Sequence, residues 1–392
     1  MILGPVSLVD CLVFCVLLAP QLIWHVGLIR TCLVALQALP FLMLQLPFQL
    51  MRGRLRRPAS STASLPHEST VFEDIVVRCV RYAFRAIPTS VNRVFFSKKV
   101  ALPFLRWRML RHGYFECPVH WREQTSQEVG TAAKGLWIRH KPDQPPDLVV
   151  YYLHGGGFAM GSCYFYLEFL LAWHSLLIDI GFANPAVFAL DYTLVPDASY
   201  PTQMLETLQG YRHVLEVAGD ASRVCVAGDS AGGTLILSLL LQLGSEARNL
   251  QQNRVSKDLQ RGLSGPSSLA LRVPRMAALI SPWVKLKSNL HYPSMVDYLN
   301  RQTLWKYAHE YAGTAMLNRQ PASPGSCVDE KLWGAASPER GYMVVFSEQE
   351  VFAPDIADFV NRRVRNGIET RALRFDGGLH AWPVASLFLS TS

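Results

Sequence analysis

The sequence predicts an α/β protein in which helices cover a mostly parallel central sheet and an apolar N-terminal segment precedes this domain. Three observations lead to this prediction. From Gly135 onward, short apolar runs alternate with helical patterns, which is typical of βαβ units. Two of these runs end in glycine-rich turns, and the first 51 residues carry only two charged side chains, Asp10 and Arg30.

Length and composition agree with one large domain and additional elements. The chain has 392 residues, of which 50% are hydrophobic and 17% charged, so it can bury a sizeable core. The formal net charge is +8, and the basic residues concentrate at positions 52–57 and 78–111, beside apolar sequence. This placement favours a membrane surface over nucleic acid as a partner. The eight cysteines are scattered without a CxxC pair, so we expect no metal centre.

Residues 1–51 predict a membrane anchor. A spanning helix needs about 20 apolar residues, so this segment can hold one long span with an interfacial helix, or a two-span hairpin broken near Arg30. A cleaved signal peptide fits less well, because the apolar stretch is too long and no basic region precedes it. The arginine cluster at 52–57 would keep that end of the span in the cytosol, but the side of the membrane on which the domain lies stays open.

The remaining chain divides into predicted regions by composition. Residues 52–70 are expected to form a basic linker, rich in serine and proline toward its end. Residues 71–134 have apolar side chains at helical spacing among many arginines and lysines, which predicts amphipathic helices that pack as a cap or lie on the membrane. The α/β domain occupies residues 135–392, with a polar surface insertion at 245–274 and cap helices at 288–315.

Within the α/β domain, the predicted strands are short apolar runs at 135–140, 147–154, 186–192, 223–229, 276–282, 342–347 and 371–376. The predicted helices occupy Tyr164–Ile180, Pro201–Ala218, Ala231–Leu243, Asp355–Arg365 and a group between Ser294 and Gly313.

The stretch RVCVAGDSAGG places Gly228-x-Ser230-x-Gly232 between a strand and a helix, the context that a nucleophile elbow requires. Small residues two before and two after the serine allow a tight, strained turn that exposes the hydroxyl. The serine also lies at a helix N-terminus, whose dipole and free N–H groups favour developing negative charge.

A second glycine-rich turn, HGGG at 154–157, follows the strand at 147–154. When a serine attacks an acyl carbon, the carbonyl oxygen becomes an oxyanion that needs preorganised N–H donors. The amides of Gly156, Gly157 and Ala231 are the candidates for this oxyanion hole. The two motifs are completed by supporting residues, namely His154, Gly155, Gly228, Asp229 and Gly232.

A nucleophilic serine needs a base and an acid that orients the base, in the chain order serine, acid, histidine. His380 lies in a loop after the last predicted strand, where it could reach the elbow, and we predict it as the base. Three carboxylates follow the strand at 342–347, Glu348, Glu350 and Asp355. The position at the strand end favours Glu350.

HGGG upstream of GDSAGG, with DYTLVPDASYP between them and a histidine near the end, resembles the hormone-sensitive-lipase branch of the α/β-hydrolase superfamily. The resemblance covers about residues 135–383 and implies an α/β-hydrolase fold and a serine esterase without metal or organic cofactor. It implies the same oxyanion hole, and structural support from Asp229 and Asp191. The family's acid usually stands in an Asp-Pro-Leu pattern; here the matching stretch begins with Glu350, and Glu348 remains a rival.

An N-terminal anchor together with SEQEVF at the acid is similar to fungal steryl acetyl hydrolases, which implies acetylated sterols as substrates at the endoplasmic reticulum. Related esterases serve secondary-metabolite pathways, and the sequence does not separate the two. We therefore expect a membrane-anchored serine carboxylesterase acting on a lipophilic ester, with the ester and the membrane as partners. An acyltransferase with the same triad, a non-catalytic receptor of this fold and an amidase are the alternatives, although the presence of His380 disfavours a receptor.

Overall fold

A single eight-stranded sheet organises the computed structural model, which describes residues 2–55, 70–117, 119–128, 131–258, 272–291, 294 and 297–389. The strand order is β1-β2-β4-β3-β5-β6-β7-β8. β2 pairs antiparallel with β1 and β4, and the other neighbours are parallel. The strands are β1 His120–Glu128, β2 Thr131–Arg139, β3 Leu148–Leu153, β4 Pro185–Leu190, β5 Val224–Asp229, β6 Met276–Ile280, β7 Tyr342–Ser347 and β8 Thr370–Phe375.

Helices cover both faces of this sheet, as the sequence predicts. Before the sheet lie α1 Leu8–Val26, α2 Leu28–Pro40, α3 Leu46–Leu55, α4 Val71–Ala86, α5 Thr89–Phe95 and α6 Lys98–Arg111, with a π-helical turn Phe41–Gln45 between α2 and α3. Within the α/β domain lie α7 Leu167–Asp179, α8 Thr202–Ala218, α9 Ala231–Asp258, α10 Arg301–Met316, α11 Glu330–Ala336, α12 Ala353–Arg365 and α13 Trp382–Leu389.

The central strand β3 shows why the apolar runs are continuous. Val149, Tyr151 and Leu153 point into the core shared with α8, α9 and α10, whereas Val150 and Tyr152 point into the core shared with α6 and α7. Because successive residues of a strand face opposite sides, both sets must be apolar in a sheet that is buried on both faces. The predicted α/β-hydrolase fold is thereby confirmed.

The sheet begins earlier than the sequence analysis placed it. The helices expected in residues 71–134 are present as α4, α5 and α6, but β1 at His120–Glu128 was not predicted, and β2 starts before residue 135. β1 has the sequence HWREQTSQE and lies at the sheet edge, where one side of its backbone is unpaired. A polar edge strand carries no apolar run, so hydrophobic periodicity does not reveal it.

Two other boundaries differ from the prediction. The helix expected to end at Leu243 continues to Asp258, so the first half of the predicted insertion at 245–274 is helical. Residues 259–271, and most of the predicted linker at 52–70, lie outside the described residues. In the predicted cap region at 288–315, the described residues before Arg301 are not helical, and α10 alone supplies the helix.

The N-terminal segment contains two helices that are long and apolar enough to cross a membrane, Leu8–Val26 and Leu28–Gly53. The break between them lies at Gly27, close to the predicted position. Gly27 has φ +92°, a left-handed conformation that glycine adopts without steric cost.

A buried ion cluster attaches the start of α1 to the α/β domain. Arg108 of α6 is fully buried and donates to Asp10 Oδ2 at 3.2 Å and to Glu168 Oε1 at 2.8 Å. Its guanidinium also donates to the carbonyl oxygens of Gly4 and Pro5. Because a buried charge is tolerated only when it is paired and hydrogen-bonded, this cluster holds three distant segments together.

We expect Arg108→Met to lower the free energy of unfolding by about 3–5 kcal/mol, because Glu168 would lose its buried counter-charge and Asp10 would be left with the partly exposed Arg111. The measurement is denaturant unfolding of the purified chain in detergent. Arg371→Met is the matched control, because Arg371 is largely exposed and forms an ion pair with Glu369 at the surface; its effect should stay within about 1 kcal/mol. Equal effects of the two variants would contradict the structural role given to the cluster.

Candidate active site

The turn after β5 has the conformation of a nucleophile elbow. Ser230 has φ +51° between the end of β5 and the start of α9. A Cβ on Gly228 would lie 2.8 Å from the carbonyl oxygen of Leu153, and one on Gly232 would lie 2.0 Å from the same oxygen. Since these obstacles are backbone atoms that cannot yield, the two glycines allow β5 and α9 to approach β3.

The HGGG turn after β3 is joined to the elbow by the buried carboxylate of Asp229. This carboxylate accepts hydrogen bonds from the Gly155 N–H at 2.8 Å, the Tyr152 hydroxyl at 2.7 Å and the Tyr166 hydroxyl at 2.8 Å. Burial raises the pKa of Asp229, and the tyrosine hydroxyls oppose the rise. His154 stacks on Tyr192 at 4.3 Å. Asp229 and His154 therefore tie the turn to the residues around it.

Gly156 and Gly157 occupy backbone conformations that residues with a side chain rarely adopt. Their φ values are +108° and +62°, and a Cβ on Gly156 would lie 2.1 Å from the Met160 carbonyl oxygen. Among the described residues, no acceptor pairs with the N–H groups of Gly156, Gly157 or Ala231. Three unpaired amide donors beside a serine can bind a developing oxyanion.

His380 and Glu350 form a buried pair. The Nδ1 atom of His380 lies 3.3 Å from Glu350 Oε2, and both side chains are almost completely buried. Since a carboxylate can only accept, Nδ1 donates to it, and the lone pair of the ring stays on Nε2. Nε2 has no hydrogen-bond partner in the part of the chain that the structure describes.

The pKa values of this pair shift for identifiable reasons. Burial raises the pKa of Glu350, and the contact with His380 opposes the rise. Burial alone would lower the pKa of His380, but the hydrogen bond and charge of Glu350, with the charge of Asp297, outweigh it and raise that pKa above its usual 6.5. The imidazole is thus a stronger base than a free histidine side chain.

The other two acid candidates lie elsewhere. Glu348 is exposed, and its backbone N–H pairs with the Phe375 carbonyl in the sheet. Asp355 is buried rather than on the surface, but its partners are His291 at 3.3 Å and Lys285 at 3.2 Å. Of the three candidate carboxylates, Glu350 is therefore the one that contacts His380.

The loops of the site are held by residues that the sequence analysis missed. Ser281, which follows β6, accepts the Ala381 N–H at 2.9 Å, and the preceding Ile280 carbonyl accepts the Ser230 N–H at 3.0 Å. The elbow and the His380 loop therefore attach to adjacent residues. Asp297 accepts the Val351 N–H at 2.9 Å beside Glu350. No local pattern indicated Asp297, because its partner lies 54 residues away.

Aromatic side chains from α4, α10 and the segment before α10 lie next to this site. The Tyr298 hydroxyl donates to the His380 carbonyl at 3.1 Å, and the Tyr307 ring lies 2.8 Å from where a Gly157 Cβ would be. Phe84 of α4 packs edge-on against both tyrosines. A surface depression of about 370 Å³ lies beside Asp220 and Arg272, at the opposite end of the sheet from these groups. Ligands of parallel sheets bind at the carboxyl ends of the strands, so the depression is not the candidate site.

Comparisons with known proteins agree with the fold. The alpha/beta hydrolase fold family matches residues 150–384. A Schizosaccharomyces pombe protein, provisionally named a steryl acetyl hydrolase, is 25% identical over 313 residues, 76% of each chain. Hormone-sensitive lipase of Bos taurus is 30% identical over 127 residues, 31% of this chain and 16% of the lipase. An esterase from the bacterial hormone-sensitive lipase family has a TM-score of 0.58 at 20% identity, over 82% of this chain and 93% of the esterase.

The lengths covered by these relatives differ. The chain spans about three quarters of the Schizosaccharomyces pombe protein but only about a sixth of the Bos taurus lipase. The similarity to the lipase is therefore local, whereas the similarity to the other two proteins extends over most of both chains.

We expect Glu350→Gln to lower the pKa of His380, because the substitution removes the carboxylate that stabilises the charged imidazole. The measurement is an NMR titration of the histidine-labelled protein, compared with wild type. Glu348→Gln is the matched control, since Glu348 is exposed, and it should leave the pKa unchanged. A larger effect of Glu348→Gln than of Glu350→Gln would reverse the assignment of the carboxylate.

Proposed function

The chain belongs to the α/β-hydrolase fold family and is a serine hydrolase acting on ester bonds; from this premise we propose that it is a membrane-associated esterase for a lipophilic ester. In this proposal Ser230 is the nucleophile, His380 the general base and Glu350 the acid that orients the base. The amides of Gly156, Gly157 and Ala231 bind the oxyanion. The observation that carries the proposal is the buried His380–Glu350 pair, anchored next to the strained Ser230 turn.

The first half of the reaction acylates Ser230. Its Oγ attacks the ester carbonyl carbon while the hydroxyl proton moves to His380 Nε2, and the carbonyl electron pair shifts onto oxygen. The oxyanion then accepts hydrogen bonds from the unpaired amides of the two turns. When this intermediate collapses, the C–O bond to the alcohol breaks and the alcohol leaves with the proton from Nε2.

The second half returns the enzyme to its starting state. A water molecule gives one proton to His380 Nε2 and attacks the acyl carbon through the same oxyanion hole. Collapse breaks the bond to Ser230 Oγ, which takes the proton back, and the carboxylic acid leaves. Throughout, Glu350 keeps the proton of His380 on Nδ1 and stabilises the imidazolium. No metal or organic cofactor takes part in this sequence of steps.

A small acyl group on a lipophilic alcohol is the substrate class that we favour. Support comes from the aromatic surroundings of the site, from the two apolar N-terminal helices and from the steryl acetyl hydrolase name of the Schizosaccharomyces pombe relative. An acetylated sterol at the endoplasmic reticulum fits this class, as does an acetylated secondary metabolite. The N-terminal helices would keep the enzyme where such esters dissolve.

We expect Ser230→Ala to abolish labelling by a fluorophosphonate probe and to reduce hydrolysis of a soluble acetate ester by roughly 10⁴-fold to 10⁶-fold. His380→Ala should reduce both strongly, because the serine would lose its base. Ser222→Ala, at the opposite end of β5, is the control and should behave as wild type. Acetate release from a sterol acetate in detergent then tests the substrate class. Folded wild-type protein that is not labelled would contradict the esterase and favour a binding protein.

We expect kcat/KM to fall at acidic pH, because only the neutral imidazole can accept the serine proton. Since the pKa of His380 is raised, the acidic limb should have its midpoint above pH 6.5 and fall about tenfold per pH unit below it. Asp297→Asn should shift this midpoint to lower pH, because the Asp297 charge contributes to the raised pKa. Asp358→Asn, on the exposed side of α12, is the control. A limb that Asp297→Asn leaves unmoved would contradict this origin of the shift.

A further inference from the structure

The two faces of helix α1 differ in exposure along its whole length. Large apolar side chains are exposed at Leu8, Leu12, Val16, Ile23 and Trp24, with Val16 72% and Trp24 81% exposed. These positions repeat at helical spacing and form one stripe. The opposite stripe is partly covered by the protein, and Asp10 on this stripe is buried. A helix that is covered on one side by its own chain differs from an isolated membrane span.

The covered stripe of α1 lies antiparallel along α6. Near its start, Asp10 pairs with Arg108 at 3.2 Å. One turn later the Phe14 ring packs at 5.0 Å from the Phe104 ring. Near its end, His25 Nε2 lies 3.5 Å from Lys99 Nζ. The contact therefore runs from the first to the last turn of α1.

The second apolar segment, α2 with the following π-helical turn and α3, lies in the same way along α4. The Tyr82 hydroxyl donates to the Gln37 carbonyl at 3.1 Å, and the Tyr82 ring stacks on Phe41 at 4.2 Å. Further along, Arg78 donates to Gln49 Oε1 at 3.3 Å. The other face of this second apolar segment exposes apolar side chains at Leu28, Ile29, Leu33, Leu36, Met43, Leu44 and Phe48.

The supporting helix α6 cannot accompany α1 across a bilayer. It exposes four cations, Lys98, Lys99, Arg106 and Arg111. If α1 stood across the membrane with its contacts intact, α6 would stand beside it and bring these charges into hydrocarbon, which is strongly unfavourable. If both helices lie parallel to the surface, these cations stay outside the hydrocarbon, at a depth where positive charge is favourable near anionic headgroups. Two of them, Lys98 and Arg111, also form ion pairs with Glu123 and Asp10.

We propose that α1 and α2–α3 form an in-plane platform, with their exposed apolar stripes in the acyl-chain boundary of a lipid bilayer and no crossing of the membrane. The occupant of this surface is lipid, because the stripes are apolar and continuous over two helices and cations lie on the helix beside them. This proposal extends the proposed function. The arrangement of the helices on the membrane does not depend on the esterase activity; only the statement that the platform supplies an ester substrate rests on the proposed function.

The platform is one helix layer away from the candidate site. On one side of α4, Tyr82 contacts the platform. On another side, Arg81 donates to the Asp297 carbonyl at 3.0 Å, and Phe84 packs against Tyr298 and Tyr307. Helix α4 therefore contacts both the platform and the residues next to His380.

The orientation is tested by labelling thiols from outside sealed proteoliposomes that contain the full chain. Ile2→Cys, Arg30→Cys and Val328→Cys variants, all at exposed positions, are treated with a membrane-impermeant maleimide before and after detergent, and the labelled peptides are identified by mass spectrometry. The platform predicts that positions 2 and 30 are labelled in the same proportion as position 328 on the α/β domain. In a two-span hairpin, position 30 would lie on the side of the membrane opposite position 328. If α1 alone spans the membrane, position 2 would lie opposite position 328. Either result overturns the proposal.

A second measurement tests whether the outer stripe contacts lipid. Val16→Asp should reduce flotation with vesicles of phosphatidylcholine and phosphatidylserine by at least severalfold, whereas Val328→Asp, 82% exposed on the α/β domain, should leave it unchanged. Undiminished flotation of Val16→Asp would overturn the proposal. Fluorophosphonate labelling of the same samples reports separately on Ser230, so a failed platform and a failed esterase give different results.

Discussion

The buried carboxylate of Asp229 is the group on which the geometry of the site depends. It stands next to the elbow serine and accepts hydrogen bonds from the Gly155 N–H and from two tyrosine hydroxyls. A buried carboxylate is costly unless its oxygens are satisfied, so these donors keep their places around it. The HGGG turn is thereby held in register with the elbow, which sets the relative positions of the amides of Gly156, Gly157 and Ala231.

The same region is constrained by backbone packing. The Leu153 carbonyl oxygen lies where a Cβ on Gly228 or Gly232 would be, so the end of β3 approaches the start of α9 more closely than larger residues would allow. Close packing positions the serine sterically and Asp229 positions the turn by hydrogen bonds. Together they fix the amide donors in place before any substrate binds, which is the preorganisation that the proposed oxyanion hole requires.

Helix α4 connects the candidate site to the N-terminal helices. Its Arg81 and Phe84 contact the loop that holds Asp297 and Tyr298, and these residues in turn contact the segments of Glu350 and His380. Its Tyr82 contacts the apolar segment. Because one helix packs against both, the fold itself fixes the position of the candidate site relative to the apolar N-terminal helices.

The sequence by itself determined the features that depend on neighbouring residues. The α/β fold follows from alternating apolar runs, and the two turns follow from glycines at spacings that backbone geometry requires. The polar edge strand β1 and the continuation of α9 were missed because neither has an apolar signature. Only the tertiary structure decided which carboxylate lies at His380, since Glu348 and Glu350 are the same residue type two positions apart, and only the fold buries one of them against the imidazole. It also revealed Asp297 and the packing of α1 along α6, because these contacts join residues 54 to 98 positions apart, and no local pattern records such a distance.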